Sequence, residues 1–576
     1  MKHVCVRLSK LSSAVILCAL FAVPGSAGQK QPETTPPVRH HATLILLHGN
    51  IYTGDPAKPR AEAVAVSGEA IFAVGSNAEI EALKESGTQV IDLAGRFVMP
   101  GFNDAHVHLA SGGQAQLEVN LEGARTIEEV QQRIRARLAE VKPGEWIVGR
   151  GWDHTLWPDK KFPNRRQLDA VSKDHPMIFT HISGHVAVAN SKALELAGVT
   201  RQTPNPSGGE IEHDASGEPT GMLKEGAAMA LVHSRVPPLT RAQHRRGIEL
   251  ALAEAARFGV TSIQDDSVRG DGAWENFLVY KELLREGKLT LRITEWLPFT
   301  EPLARIQELR KEGGTTDSWL RTGALKMVTD GALGSRTAAM LAPYSDDPST
   351  SGILTIDPEK LKQMAIERDR AGFQLNFHAI GDRANRISLD AFAAVRAANG
   401  PRDRRDRIEH AQVVAPEDFA RFAELGVIAS MQPSHETTDM RWAEQRLGRE
   451  RAKGAYAWAT MLKHGVHLAF GTDYPVETIN PMRGLHACVT RELPEGGPAG
   501  GWAPQEKISL DECIHDYTVG STYGEFQETR KGQIAPGMFA DMIVLSADLT
   551  KIPPAEILKT RVLQTIVGGR TVYQVK

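Results

Sequence analysis

His106 and His108 stand two apart in the run Pro100-Gly101-Phe102-Asn103-Asp104-Ala105-His106-Val107-His108. On a strand, side chains two apart point the same way, so both imidazoles can reach one metal ion from rigid backbone. Two solvent-facing histidines would fit the same spacing, because His is a common polar residue as well as a common ligand. Three other candidate strands each lead into a polar residue. Phe373 to Phe377 leads into His378, Arg407-Ile408-Glu409 into His410, and Leu468 to Thr472 into Asp473. Four imidazoles and a carboxylate converging on one face are hard to assign to packing, and both groups are metal ligands. Lys326 lies in a further apolar run, Gly323 to Asp330. A buried ammonium needs a partner, a depressed pKa or covalent modification. Pairing with Asp330 or snorkelling to solvent would answer that need, and the residues alone lean that way.

The elements that must carry these residues follow a repeated pattern. A helical stretch ends in Gly and an apolar strand begins at once, at Gly259, Gly372, Gly426 and Gly465. Glycine just past a helix end accepts the left-handed conformation, and near-continuous apolar strands suit a parallel sheet buried on both faces. With Val98 to Phe102, Leu291 to Trp296, Ala324 to Thr329 and Arg407 to His410, the candidates number eight. The expectation is an α/β chain built on a (β/α)8 barrel, with its active site at the C-terminal ends of the strands. Residues 114–239 are too long for one connection and read as an inserted subdomain. Within it Thr126 caps a helix carrying Ile127, Val130, Ile134, Leu138 and Val141 on one face. Short β-like runs over 42–97 and 531–576 read as two parts of one β-sandwich, leaving 98–530 for the barrel.

The start of the chain reads differently. Lys2, Arg7 and Lys10 precede an apolar run from Ala14 to Val23, and Gly25-Ser26-Ala27 offers a cleavage site. We read residues 1–27 as an export signal cut after Ala27, residues 28–41 as a linker, and the mature protein as secreted or periplasmic. No other stretch approaches the ~18 apolar residues of a membrane span, so a soluble mature chain is expected. Of the 4 cysteines, Cys5 and Cys18 would leave with the signal. Cys488 and Cys513 are read as buried free thiols, although export would permit a bridge. Lys+Arg total 67 against Asp+Glu 70 in 576 residues, which gives no basic excess for nucleic-acid binding. The expected partner is a small-molecule substrate, and a homo-oligomer is left open.

These motifs together resemble the amidohydrolase superfamily. The resemblance is carried by the Pro100 to His108 run, the His378 and His410 strand ends, Gly471-Thr472-Asp473 and the run Gly532 to Leu545. Within it the chain is similar to the YtcJ-like branch, amidohydrolase family 3, which includes N-substituted formamide deformylase. Trp152-Asp153, Ser183-Gly184-His185 with Asn190-Ser191, and Asp330 to Arg336 resemble that branch too. The resemblance covers about residues 42 to 576. It implies a hydrolase barrel with a composite β-sandwich. It implies His106, His108 and Asp473 at one metal, His378 and His410 at a second, and Lys326, carboxylated, bridging the two. Zn2+ is the first expectation, with iron, manganese or nickel admitted by the same nitrogen and oxygen donors.

The chemistry implied is hydrolysis of a carbon–nitrogen bond by water that a divalent cation has activated. Asp473 would take the water proton and pass it to the leaving nitrogen. The second metal, or a neighbouring His such as His185, would polarise the carbonyl. Trp152, Asp153 and Arg336 are candidates for substrate binding. Trp152 fits a core position equally well, and Arg336 a structural ion pair. Deamination or ester and lactone hydrolysis would use the same site, and a non-catalytic metal-binding barrel is the reading from another class.

Overall fold

Pro100 and Gly101 divide two sheets. The strand before them, Phe97–Pro100, pairs with Asn50–Tyr52 and with Met542–Leu545. The strand after them, Phe102–Val107, opens the barrel. The expectation of a barrel strand over Val98 to Phe102 is therefore corrected. One apolar run serves two sheets in succession, and hydrophobicity does not mark where a chain changes partners. The computed structural model describes residues 41–181, 184–206, 208–267 and 274–575. The export signal, most of the linker and Ser183 lie outside the described residues.

The barrel strands are β1 (Phe102–Val107), β2 (Val260–Asp265), β3 (Arg292–Pro298), β4 (Leu320–Val328), β5 (Leu375–Ala379), β6 (Arg407–His410), β7 (Ile428–Met431) and β8 (Leu468–Phe470). They form one parallel eight-stranded sheet in chain order. The seam between the last and first strands is closed just past Phe470. There Asp473 N donates to His106 O at 2.7 Å and His108 N donates to Tyr474 O at 2.7 Å. Buried helix faces cover the outside, as parallel strands require. The four glycines before β2, β5, β7 and β8 have φ between 68 and 82°, the left-handed turn their position suggested.

Strands from the two ends of the chain build one further sheet of six strands, and residues 44–92 alone build another of four. Leu46, Ile51 and Val64 share a core with Met542, Val544 and Ile566. Residues 119–224 supply a separate six-stranded sheet. Its helix Ile127–Leu138 begins where expected, with the Thr126 hydroxyl accepting from Glu129 N at 3.2 Å and Val130 and Ile134 buried. Cys488 and Cys513, expected as free thiols, form a disulfide between helices Pro481–Thr490 and Leu510–His515. A separation of 25 residues carries no pairing signal. The side-by-side packing of two helices brings the sulfurs together. Among the described residues, no helix is long and apolar enough to cross a membrane.

Candidate metal centre

At the C-terminal mouth of the barrel, His106 Nε2 and His108 Nε2 lie 3.5 and 3.0 Å from Asp473 Oδ1. The three side chains offer ligand atoms within 4.8 Å of one another. Each imidazole is aimed from behind. His106 Nδ1 is 2.6 Å from Glu409 Oε2, and His108 Nδ1 is 2.9 Å from the Asp266 carbonyl oxygen. A carbonyl only accepts, so His108 Nδ1 carries a proton, and Nε2 is the nitrogen that faces the shared centre. His410 follows the same rule, with Nδ1 2.8 Å from Gln432 Oε1. Such partners fix the tautomer and ring orientation of metal-binding histidines.

The backbone explains why neighbours in sequence reach one centre. Glu409 and His410 would point to opposite faces of a straight strand. His410 has φ 75°, which ends β6 and turns its ring to within 5.2 Å of the His106 ring. Asp473 has φ 57° for a similar reason. Strained φ values of this kind persist where the surroundings over-determine them. Here Asp104 does so: Oδ1 accepts from Thr472 N at 2.9 Å and Oδ2 from the Thr472 hydroxyl at 2.6 Å. Gly471 leaves room for the seam, since a Cβ there would stand 2.6 Å from His106 N.

Glu409 is fully buried yet ionised. Burial alone would raise its carboxyl, but the Arg407 guanidinium and His106 hold it down at about 2. Arg407 donates to Glu409 Oε1 at 2.6 Å, Ser430 Oγ at 2.7 Å and Ala105 O at 3.0 Å. Burial, then the Lys326 ammonium, lowers His106 to about 4, so the imidazole is neutral near pH 7. Burial would likewise raise the Asp473 carboxyl, but His106, His108 and His410 around it hold it well below the ordinary range. Lys326 Nζ lies 3.2 Å from His106 Nε2 and 3.4 Å from Asp266 Oδ2, facing Asp266 rather than Asp330. Asp330 instead organises the loop after β5, accepting from Ala339 N, Ile380 N and Gly381 N at 2.8–3.0 Å.

His435, which the sequence reading passed over, completes a second set of ligand-type groups with His410 and Asp473. Its Nε2 is 3.6 Å from Asp473 Oδ2, and its ring stacks on that of His410 at 5.9 Å. It lies past the end of β7, in the first turn of helix Pro433–Asp439. A search of strand-end residues alone misses it. His378 stands beside His410, ring to ring at 4.5 Å, with its Nε2 3.2 Å from the Gly331 carbonyl oxygen and 3.4 Å from Asp330 Oδ1. Polar residues at alternate positions of a buried strand, Arg407 and Glu409, were the signal that could have pointed to the carboxylate behind His106.

The other candidate residues are Trp152, Asp153, Arg336 and His185. Trp152 is 1% exposed, in the core of the inserted sheet, and its Nε1 donates to Phe179 O at 2.8 Å. Arg336 forms a two-point pair with Asp346 at 3.0–3.1 Å. Asp153 caps a short helix through Thr155. His185 is on the surface of the insert, 71% exposed, with Nδ1 3.1 Å from Glu225 Oε2. Each of these side chains has a structural partner that the sequence did not show.

The chain is similar to known proteins over most of its length. Residues 89–573 match the amidohydrolase family profile. The chain is 36% identical over 547 residues to Protein LONG AFTER FAR-RED 3 of Arabidopsis thaliana, covering 94% of this chain and 93% of that one. It is 33% identical to Putative amidohydrolase YtcJ of Bacillus subtilis (strain 168), covering 92% and 99%. It is 28% identical to N-substituted formamide deformylase of Arthrobacter pascens, covering 92% and 98%. The structure of an uncharacterized metal-dependent hydrolase from Pyrococcus furiosus superposes with TM-score 0.71 at 30% identity, over 89% of this chain and 99% of that one. The eight-stranded barrel, the histidine–aspartate cluster at its mouth and a family match over most of the length lead to one conclusion: the chain belongs to the amidohydrolase family.

Proposed function

We propose that this protein hydrolyses an amide-type carbon–nitrogen bond, with an N-substituted formamide as the first candidate substrate and Zn2+ as the first candidate metal. The observation that carries the reading is the convergence of His106, His108, His410, His435 and Asp473 at one barrel mouth. The residues fit a cation. His435 Nε2 is buried without a hydrogen-bond partner among the described residues, a costly state unless a ligand meets it. When bound, a divalent cation supplies the Lewis acidity that brings the pKa of water from ~15.7 to ~7.

Every other part of the work falls to the chain. His106 presents a neutral nitrogen and His108 its Nε2, and Glu409 and the Asp266 carbonyl hold the two rings in place. The Asp473 carboxylate, ionised among imidazoles, takes the proton of the attacking water and passes it to the leaving nitrogen. Lys326 lies between His106 and Asp266, where conversion to a carbamate would supply an anionic ligand. The Cys488–Cys513 bridge supports reading residues 1–27 as an export signal, since disulfides persist in oxidising compartments.

The test is hydrolysis of N-substituted formamides, simple amides, esters and aminated heterocycles by the metal-replete full chain, with metal content measured on the same samples. Formamide turnover is expected, falling by roughly 10²–10⁴ in Asp473→Asn. A metal-loaded protein that turns over only esters or aminated heterocycles would move the assignment to those reactions. Undiminished turnover in the Asn variant would remove Asp473 from proton transfer.

A further inference from the structure

Asp153, His154 and His181 form another set of ligand-type groups, on none of the barrel strands. Their ligand atoms lie within 4.8 Å of one another. The inserted sheet brings them together. Strands Ile147–Trp152 and Met177–His181 run parallel, with Trp152 opposite His181. The chain therefore leaves the first strand, through Asp153 and His154, beside the end of the second. Asp153 is held there by its cap on Thr155, with Oδ1 accepting from the amide at 2.9 Å and the hydroxyl at 2.7 Å.

The spacing is too long for a direct bond and approaches that of two ligands on one cation. His181 Nε2 is 3.8 Å from Asp153 Oδ1, too far for a hydrogen bond. Two donors each ~2.0–2.2 Å from one tetrahedral cation stand roughly 3.3–3.6 Å apart. The His154 and His181 rings are 5.4 Å apart between centroids. His154 Nδ1 is buried with no hydrogen-bond partner among the described residues. A buried polar nitrogen of that kind calls for a partner. Aromatic rings wall the group: Trp152 meets His181 edge-on at 4.5 Å, and Phe162 lies 4.2 Å from His154. His181 also lines a cavity of about 910 Å³, together with Arg150, Thr180 and His233.

We propose that Asp153, His154 and His181 bind a divalent transition-metal ion, independently of the barrel centre. Two imidazoles and a carboxylate favour zinc, nickel or copper over magnesium or calcium. Three protein ligands leave a coordination position open to water or a small anion. Asp153, a candidate for substrate binding from sequence, is thereby assigned to a metal in the insert.

The inference does not rest on the hydrolase reading, because its readout is bound metal rather than turnover. The full chain and two variants, His154→Phe and His181→Phe, are dialysed against Zn2+ and analysed for zinc per chain. Phenylalanine keeps the ring packing and removes the nitrogens, and circular dichroism identifies folded samples. Each folded variant is expected to bind one zinc fewer than the wild type, while His106→Ala keeps the insert ion. Equal zinc content in the wild type and either folded variant overturns the proposal.

Discussion

Glu409 Oε2 lies 2.6 Å from His106 Nδ1, and the same carboxylate is held from its other side by Arg407. The fully buried chain Arg407–Glu409–His106 transmits a fixed orientation from the barrel interior to the ligand nitrogen. Removing the charge of Glu409 should therefore act at the metal, although Glu409 does not itself reach the ligand cluster.

Glu409→Gln keeps the shape and loses the anion. Metal affinity is expected to fall ~10–100-fold, the usual cost of losing such a supporting partner. Arg407 would be left as a buried cation without its counter-ion, which costs about 3–5 kcal/mol of stability. Competition with a chelator and chemical denaturation measure the two effects separately.

Gly471→Ala should disturb the closing seam. The new Cβ would stand 2.6 Å from His106 N and 2.7 Å from Asp104 Oδ1, and the nearest of these is backbone that cannot swing aside. Overpacking of this kind costs about 1–3 kcal/mol. A lower unfolding temperature is expected together with weaker metal retention, because the displaced backbone carries the His106 ligand. A variant matching the wild type in both would show that the seam tolerates a wider gap.

Cys513→Ser tests the bridge to Cys488. Loss of a disulfide of this loop size typically costs about 2–4 kcal/mol. Denaturation with and without reductant should show the wild type converging on the variant once reduced. Thiol labelling of the unfolded, unreduced protein should find Cys488 and Cys513 blocked.

Asp406 predicts a pH dependence. Burial pushes its carboxyl up to about 7, while Oδ1 accepts from Leu375 N at 2.9 Å. The folded pKa is above the unfolded value of ~3.9, so its contribution to stability is full below that value and is lost as pH rises to about 7. Asp406→Asn keeps an acceptor oxygen and cannot ionise. Its stability relative to the wild type should rise between pH 5 and pH 8 by denaturant midpoint. A constant difference across that range would show that Asp406 does not titrate as described.

Much of the barrel was legible because its signals are local. Glycine after a helix and an unbroken apolar strand are set by backbone sterics and burial, and both act within a few residues. The two-residue period of His106 and His108 and the strand-end places of His410 and Asp473 followed from the same logic. Tertiary structure alone decided the rest. His435 joins the site from a helix start, Glu409 becomes a ligand's support only when β1 and β6 face each other across the barrel, and the run through Val98 is divided between two sheets. Trp152 and Arg336 were chosen by residue type, yet their partners, Phe179 O and Asp346, are made by folds of chain that no local pattern announces. Propensity and periodicity report what one segment prefers. Which segment it meets is settled by the free energy of burying all of them together.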